Sequence, residues 1–349
     1  MPIISDPSRV KEIYTAAAER GVCLADFCTA NPYTTEAILR ATSRFGQRHG
    51  VKAVPIILSA TANYPIEPQL QHYTATGDAI IGLHALVNDV EILLSPGSPY
   101  ANVQVMLHLD HAQPDLDETV VELALAKFAS IMYDCSALPL EENIRRTAQF
   151  VEAHRNQVLV EGAVAEIAQA TDAEDPHELT DPAVAERYLQ ETGVFLLVPD
   201  LGTEHRATAA VARYDAQRAR AISARVGKRL VLHGSSSLQD EELSHLAADG
   251  IIKVNIWTIF ERLGAQAVAR QVVEDLGNIL TQAELETLHE SGYLGDRYFD
   301  QAYIDQTCSG ALGPKTAHIV EVVRREAWMA AVMARMEFYL EAFGYARLT

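Results

Sequence analysis

Three histidines, His111, His205 and His233, each lie at or just past the end of a short apolar run that is typical of a β-strand. The runs that precede them are VQVMLHL, VFLLV and RLVL. Imidazoles at the ends of strands so far apart in sequence converge only if the strands lie side by side and parallel. Three histidines with an open fourth position are the donor set of a catalytic zinc ion. The pattern therefore predicts a site for Zn²⁺ or another divalent transition metal.

The elements that position these side chains follow from the hydrophobic pattern. Eight short apolar runs alternate with helical patterns, as the buried strands of a parallel sheet do. The predicted strands are 21–27, 53–58, 103–109, 129–133, 157–161, 194–199, 229–232 and 251–256. An eightfold alternation predicts an α/β fold, a (β/α)8 TIM barrel with extra C-terminal helices, and a doubly wound open sheet is the alternative.

The chain is expected to form one domain over residues 1–349, with the barrel at about 10–265. An insertion and closing helices are expected at about 266–349, where 314–343 reads as one long helix. The segment 61–100 is longer than a simple crossover and is expected to carry an extra helix. The pattern of 276–313 does not indicate a place in the fold.

Polar residues are crowded at the predicted C-terminal strand ends, the rim that forms the active site in barrels of this kind. They are Ser59, Asp110, Asp134, Ser136, Glu161, Asp200, Thr203, the run 233–237, Lys253 and Asn255. Asp110 is interpreted as a general base or as a group that orients a metal ligand. The serines 235–237 are either an anion-binding loop or a plain flexible loop. Lys253 is either a structural charge or a Schiff-base lysine.

The composition narrows the class of partner. The formal net charge is −19 and the pI is near 5.0, which argues against nucleic acid or an anionic membrane as the partner. No apolar run approaches the ~20 residues that span a bilayer. The four cysteines show no paired spacing, and no signal peptide is recognised, so a reducing cytoplasmic location is expected.

Several segments, at about residues 20–260 and again in the last helix, resemble the class II, metal-dependent fructose-bisphosphate and tagatose-bisphosphate aldolases. They are LHLDH (107–111), IMYDCSALPLEENI (131–144), VLVEG (158–162), TDPAVAERYLQETGV (180–194), LGTEH (201–205), LVLHGSSS (230–237) and GIIKVNIWT (250–258). The resemblance implies that His111, His205 and His233 bind the metal. It implies that Asp110 moves the proton of the substrate hydroxyl next to the cleaved bond, and that Asn255 helps hold the enediolate.

The resemblance also implies a phosphate site. Ser236 and Thr258 match positions that contact the substrate phosphate, and Gly234 shapes that loop. Ser59 and Ser235 are expected to bind substrate as well. Around the metal ligands, supporting roles are expected for Asp134, Ser136 and Glu161.

The chain departs from the family pattern around the proposed metal site. Ala163 stands where the family has a second carboxylate. In the loop that follows, which is mobile in the family, Glu174 is the best match for the catalytic acid, with Asp172 and Asp175 as alternatives. Arg206 replaces a glycine after the second ligand, and a bidentate contact from it to a phosphate or carboxylate is expected.

The phosphate loop is altered too. The family's HGGSG reads HGSSS, so Ser235 and Ser237 replace glycines. The acidic residue before Thr258 is replaced by Trp257. The metal and proton-transfer residues are thus retained while phosphate recognition is changed.

The sequence therefore predicts a lyase of carbohydrate metabolism, an aldolase acting through a metal-stabilised enediolate on a ketose or ketose phosphate other than fructose 1,6-bisphosphate. A metal-dependent epimerase or isomerase and an inactive binding subunit are the alternatives. A homodimer or homotetramer is expected. The last helix carries an apolar stripe that packs either at the subunit interface or against the outside of the barrel. The stripe comprises Trp328, Val332, Met336, Tyr339 and Phe343.

Overall fold

Eight parallel strands close into a barrel in a computed structural model that describes residues 3–166, 179–204 and 214–349. The strands are β1 (Leu24–Cys28), β2 (Val54–Thr61), β3 (Val103–Ala112), β4 (Ser130–Tyr133), β5 (Leu159–Ala163), β6 (Leu196–Val198), β7 (Leu230–Leu232) and β8 (Ile251–Ile256). Each strand pairs in parallel with the next, and β8 pairs with β1, so the sheet has no edge. The predicted TIM barrel is confirmed, and the open-sheet alternative is excluded.

The helices are α1 (Pro7–Arg20), α2 (Pro32–His49), α3 (Gln69–Tyr73), α4 (Ala79–Leu93), α5 (Glu118–Ala124), α6 (Leu140–His154), α7 (Pro182–Thr192), α8 (Ala216–Val226), α9 (Asp240–Leu243), α10 (Thr258–Ile279), α11 (Gln282–Glu290), α12 (Gln301–Thr307), α13 (Thr316–Ile319) and α14 (Glu321–Ala342). Helices α2 to α9 lie between successive strands, as parallel crossovers require, while α1 precedes β1 and α10 to α14 follow β8. The α2 helix shows how the sequence sets a boundary. The side chain of Asn31 accepts a hydrogen bond from the Thr34 N–H at 2.8 Å, and Pro32 occupies the first turn.

The segment 61–100 holds two helices, α3 and α4, and so carries the expected extra helix. One helical prediction needs correction. The predicted helix over 314–343 is broken, because Val320 has extended backbone (φ −76°, ψ 145°) between α13 and α14. Glu321 then starts α14, where an acidic residue in the first turn favours a new helix N-terminus. The apolar pattern continues across the break and so hides it from a periodicity argument.

The chain divides into two compact units, residues 1–259 with 335–349, and residues 260–334. The first contains the barrel and its buried apolar core. In the second, Tyr298 donates its hydroxyl to the Val273 carbonyl at 3.1 Å, and Lys315 donates to Asn278 Oδ1 at 2.7 Å. The segment 276–313, which the sequence did not place, contributes α11 and α12 to this unit. The single-domain description stays a prediction.

The end of the chain covers the N-terminal rim of the barrel. The Ala25 N–H donates to the Tyr345 hydroxyl at 2.8 Å, and the Cys23 N–H donates to the Phe343 carbonyl at 3.1 Å. Met336, Tyr339 and Phe343 of the apolar stripe are buried within the single chain. This burial accounts for these three residues without a partner subunit. Among the described residues, no helix has the length and apolarity to cross a bilayer.

Candidate active site

The end of β3 is irregular, and the irregularity brings two functional side chains together. The pairing of β3 with β4 shifts register between Leu109 and Ala112, and His111 has a left-handed backbone with φ 45°. In a regular strand, neighbouring side chains point to opposite faces. Here Asp110 and His111 both line the same cavity. A left-handed conformation costs about 1–2 kcal/mol for a residue with a Cβ, and such strain is typical of functional sites.

The imidazole of His111 is held by a carboxylate on the next strand. His111 Nδ1 lies 2.6 Å from Asp134 Oδ2, and both side chains are buried. Ser136 donates to the other oxygen of Asp134 from its backbone N–H (3.0 Å) and its hydroxyl (2.6 Å). Burial alone would lower the pKa of His111, but Asp110 and Asp134 raise it to about 9. This arrangement leaves Nε2 of the ring to face the cavity.

His233 meets His111 from the far side of the barrel mouth. The two rings lie 5.0 Å apart at an interplanar angle of 84°. One potential ligand atom from each of Asp110, His111 and His233 lies within 4.8 Å of the others. Gly234 follows with φ 68°, and a Cβ there would come within 2.8–2.9 Å of the backbone of Glu204. Only glycine therefore fits the turn that places His233.

A buried ion cluster supports His233 from below. Glu161 Oε1 lies 3.4 Å from His233 Nε2, and Glu161 Oε2 accepts a hydrogen bond from Lys253 Nζ at 2.8 Å. Lys253 Nζ also lies 2.9 Å from Asp26 Oδ2, and all three side chains of this Asp26–Lys253–Glu161 cluster are fully buried. Burial would raise the pKa of Glu161, but Lys253 and nearby histidines lower it to about 2. Burial would lower the pKa of Lys253, but Asp26 and Glu161 raise it above its usual value.

This geometry decides between the two interpretations of Lys253. A Schiff-base lysine must lose its proton before it attacks a carbonyl. A raised pKa and two carboxylates within 3 Å keep Lys253 protonated. The residue acts as a structural charge.

Most of the predicted site residues line one cavity at the C-terminal mouth of the barrel. They are Asp110, His111, His233, Gly234, Ser235, Ser236, Asn255 and Thr258. Asn255 is buried, and neither its side-chain oxygen nor its nitrogen has a hydrogen-bond partner among the described residues. Ser235 donates its hydroxyl to the Asn255 carbonyl at 2.7 Å, which ties the β7 loop to β8. Thr258 begins α10, so the helix N-terminus opens at the cavity.

The structure places some predicted residues elsewhere. Ser59 is fully buried and donates its hydroxyl to Cys28 Sγ at 3.1 Å, and it is Cys28 that lines the cavity. Asp134, Ser136 and Glu161 lie behind the histidines, as expected of supporting groups. The predictions for His205, Arg206 and Glu174, and the alternatives Asp172 and Asp175, lie outside the described residues.

Two site features were absent from the sequence-based prediction. Tyr64 stacks on the His111 ring, with centroids 4.3 Å apart and planes at 9°. Asp26 joins the ion cluster with Lys253. A single carboxylate within the apolar strand LADFC was the available signal for Asp26. Tyr64 lies in a loop with no periodic pattern, so the sequence carried no signal for it.

The side chains fit a divalent cation. Asp110 Oδ1 is buried and has no hydrogen-bond partner among the described residues, and it lies with two imidazoles in one cluster. Each of the two histidines has a carboxylate near its other ring nitrogen, the usual arrangement behind metal-binding histidines. Imidazole nitrogens are suitable donors for zinc and similar metals, and a buried carboxylate beside them offsets the positive charge of the ion.

Comparison with known proteins agrees with this chemistry. The family model described as class II fructose-bisphosphate aldolase matches residues 8–331. A fructose-bisphosphate aldolase of Staphylococcus epidermidis is 27% identical over 278 residues, covering 79% of this chain and 87% of that protein. One from Staphylococcus aureus is 26% identical over 271 residues, covering 77% and 85%.

Solved structures share the fold. The fructose-bisphosphate aldolase of Campylobacter jejuni aligns with a TM-score of 0.73 at 17% identity, covering 98% of this chain and 94% of that one. The YdjI aldolase of Escherichia coli K12 aligns with a TM-score of 0.63 at 20% identity, covering 96% of both chains. At these identities the likeness establishes the architecture alone.

Proposed function

Because the chain belongs to the class II fructose-bisphosphate aldolase family and is therefore an aldolase-type lyase, we propose that it makes or breaks a carbon–carbon bond beside a ketone with the help of a divalent metal. We propose further that its substrate is a ketose or ketose-phosphate-like compound other than fructose 1,6-bisphosphate. One observation carries the proposal: Asp110, His111 and His233 meet with Asn255 at the mouth of the barrel.

The metal ligands in this proposal are His111, His205 and His233, and the metal is Zn²⁺ or a similar ion. Thr203, two residues before His205, donates its hydroxyl to the His233 carbonyl at 2.7 Å. This hydrogen bond ties the segment that leads to His205 to another proposed ligand, and so supports His205 as the third one. When bound, a dication acts as a Lewis acid that draws electron density from the ketone oxygen. Asp134 and Glu161 orient the His111 and His233 rings toward it.

Proton transfer falls to Asp110. In the cleavage direction Asp110 accepts the proton of the hydroxyl next to the scissile bond, and that oxygen becomes the carbonyl oxygen of the released aldehyde. The electron pair of the broken bond stays on the ketone fragment as an enediolate. Asn255 donates its side-chain N–H to an enediolate oxygen. An acid of the 166–175 loop, with Glu174 as the first choice, returns a proton to carbon.

Burial would raise the pKa of Asp110, but His111, His108 and His233 lower it well below its usual range. These histidines favour the carboxylate form of Asp110, which is the form that can accept a proton. The nearby His108 is fully buried, with Nδ1 2.8 Å from Ser130 Oγ and Nε2 3.6 Å from Asp110 Oδ1. We assign it a structural role beside the carboxylate.

Substrate binding on the β7 and β8 side is proposed for Gly234, Ser235, Ser236 and Thr258, with Arg206 contacting an anionic group. The altered loop after β7 supports the proposal that the substrate is not fructose 1,6-bisphosphate. Ser237, at a family glycine position, donates its hydroxyl to the Gly234 carbonyl at 2.8 Å and accepts from the Glu204 N–H at 3.2 Å. These bonds fix the loop through side chains instead of leaving open backbone for a phosphate.

The test is metal analysis of purified protein, followed by a screen of aldehydes with dihydroxyacetone and its phosphate. We expect a carbon–carbon bond-forming product that is abolished by chelator and restored by Zn²⁺. Asp110→Ala should retain metal and lose turnover, while the surface change Asp115→Asn should leave both intact. Product without a new bond would favour an epimerase or isomerase. Ordinary efficiency on fructose 1,6-bisphosphate would refute the substrate proposal.

We also propose that the protein works in the cytoplasm, in carbohydrate metabolism, as a homodimer or homotetramer. The four cysteines are all buried and free of disulfides, which supports a reducing compartment. Light scattering at several protein concentrations tests the oligomeric state.

A further inference from the structure

Tyr64, in the loop between β2 and α3, covers one face of the His111 imidazole. The two ring centroids lie 4.3 Å apart and the ring planes differ by only 9°, so the rings are stacked face to face. Tyr64 also lines the active-site cavity together with Asp110 and His111. The stack therefore lies at the metal site proposed above and involves one of its ligands.

The stack restrains His111 in a way that its hydrogen bond does not. A hydrogen bond at a ring nitrogen acts in the plane of the imidazole, so the bond between His111 Nδ1 and Asp134 still permits the ring to tilt about it. A second ring on the face opposes that tilt, because tilting would separate some atoms of the two rings and press others together. The backbone of His111 is itself strained, with φ 45°, and such a residue keeps its conformation only when surrounding contacts hold it.

Tyr64 is held in place through the residue before it. The backbone N–H and the side-chain Nδ2 of Asn63 both donate to Asp117 Oδ1, at 3.2 Å and 2.7 Å. Asp117 is fully buried, and its other oxygen accepts a hydrogen bond from the Gln113 N–H at 2.8 Å. Asp117 thus joins the loop after β2 to the loop after β3. Pro65 follows Tyr64 and disfavours a helical backbone there, which restricts the loop further.

We propose that Tyr64 is a positioning residue of the active site, which fixes the plane of the His111 imidazole and so directs Nε2 toward the metal. Asn63, bonded to Asp117, keeps the Tyr64 ring against the imidazole. The ring provides the effect and the hydroxyl does not take part, so phenylalanine should replace Tyr64. This inference rests on the proposed metal-dependent function, and it identifies a residue that lies in none of the aldolase-like segments.

The experiment measures metal binding to the purified parent, Tyr64→Phe and Tyr64→Leu proteins. Zn²⁺ affinity is obtained by competition with a coloured chelator, and the visible absorption of bound Co²⁺ reports the geometry of the ligands. An aromatic pair changes an equilibrium constant by about two- to twelvefold. We expect Tyr64→Leu to bind Zn²⁺ roughly three- to tenfold more weakly, with an altered Co²⁺ band at saturation, and Tyr64→Phe to match the parent.

Phe45→Leu is the matched control. Phe45 is buried on α2 and stacks on His49 with ring centroids 4.3 Å apart, and neither residue lines the active-site cavity. Its loss should lower the melting temperature, while the Zn²⁺ affinity and the Co²⁺ spectrum keep the values of the parent. This control separates a general loss of packing from the loss of a contact to a metal ligand.

Asn63→Ala tests whether the bond to Asp117 acts through Tyr64. Loss of the 2.7 Å hydrogen bond should weaken Zn²⁺ binding by about two- to fivefold in the parent. In the Tyr64→Leu background the same change should have no further effect, because the ring that Asn63 positions is already gone. Equal losses in both backgrounds would refute this role of Asn63.

Three results would decide the larger question. A Tyr64→Leu protein with the Zn²⁺ affinity of the parent, or with an unchanged Co²⁺ spectrum, would overturn this inference and leave the aldolase function standing. A Tyr64→Phe protein as weak as Tyr64→Leu would also overturn it, because the hydroxyl would then provide the effect. If the parent bound no divalent metal at all, the proposed metal-dependent function would fail and this inference with it.

Discussion

The hydrogen bond between His111 and Asp134 makes a quantitative prediction for metal affinity. The two atoms lie 2.6 Å apart, both side chains are buried, and Ser136 holds the carboxylate in place with two hydrogen bonds. A hydrogen bond to a charged group contributes about 1.5–3 kcal/mol, compared with about 0.5–1.5 kcal/mol for a neutral one. Asp134→Asn keeps the shape and removes the charge, so it should weaken metal binding by roughly 1.4 kcal/mol, about tenfold.

Asp134→Ala removes the hydrogen bond altogether and frees the ring to rotate. Loss of such a supporting group typically weakens metal binding by about 10–100-fold, and we expect the alanine variant near the upper end. Metal affinity is measured by competition with a coloured chelator, using Zn²⁺, and by the visible absorption of bound Co²⁺. The control is Asp115→Asn, at an exposed carboxylate that pairs with Arg146 at 2.7 Å.

The order of affinities is the critical result. We expect parent and Asp115→Asn to be equal, Asp134→Asn to be weaker, and Asp134→Ala to be weakest. If the chelator competition gave Asp134→Asn the same affinity as the parent within twofold, with an unchanged melting temperature, Asp134 would not position a metal ligand. The assignment of His111 as a ligand would then lose its main structural support.

Three further predictions concern stability. A left-handed backbone costs alanine about 1–2 kcal/mol, and Gly234→Ala should destabilise the fold by more than this, because its Cβ would also lie 2.8 Å from the backbone of Glu204. Gly50→Ala is the control for the backbone cost alone, because Gly50 has φ 72° and no atom within 4 Å of the added Cβ. Lys253→Met should lower the free energy of unfolding in urea by roughly 3–5 kcal/mol, since it leaves two buried carboxylates unpaired, whereas exposed Lys228→Met should have little effect. The pKa of Glu161 falls from 4.5 to about 2 on folding, so its stabilisation is complete above pH 4.5 and is lost as the pH falls toward 2. Urea unfolding of the metal-free protein between pH 5 and 3 should show this loss, and a Glu161→Gln variant with the same pH slope would contradict it.

Much of the barrel was predictable because its signals are local. Buried parallel strands are short continuous apolar runs, and all eight predicted runs contain the observed strands or overlap them. Helix ends such as Gly193 and Gly227 are set by residues within one turn. The break at Val320 was missed for the same reason, since nothing in its local apolar pattern distinguishes it from a helix interior.

The candidate site was predictable in part. His111 and His233 were expected to meet because parallel strands bring their C-terminal ends to one rim, and the structure places their rings 5.0 Å apart. Tyr64 was not expected, because its stacking on His111 depends on how an irregular loop folds over the barrel mouth. The hydrogen bond from Ser59 to Cys28 was not expected either, because it depends on the pairing of β1 with β2.

The sequence by itself determined the strands, the kinds of side chain at their ends and the chemistry those side chains support. Only the tertiary structure decided how they interact. The contact of Asp26 with Lys253 joins the first strand to the last and exists because the sheet closes. The shared direction of Asp110 and His111 exists because β3 shifts register against its neighbour. Both depend on residues far apart in the chain, and residue type and periodicity report only on near neighbours.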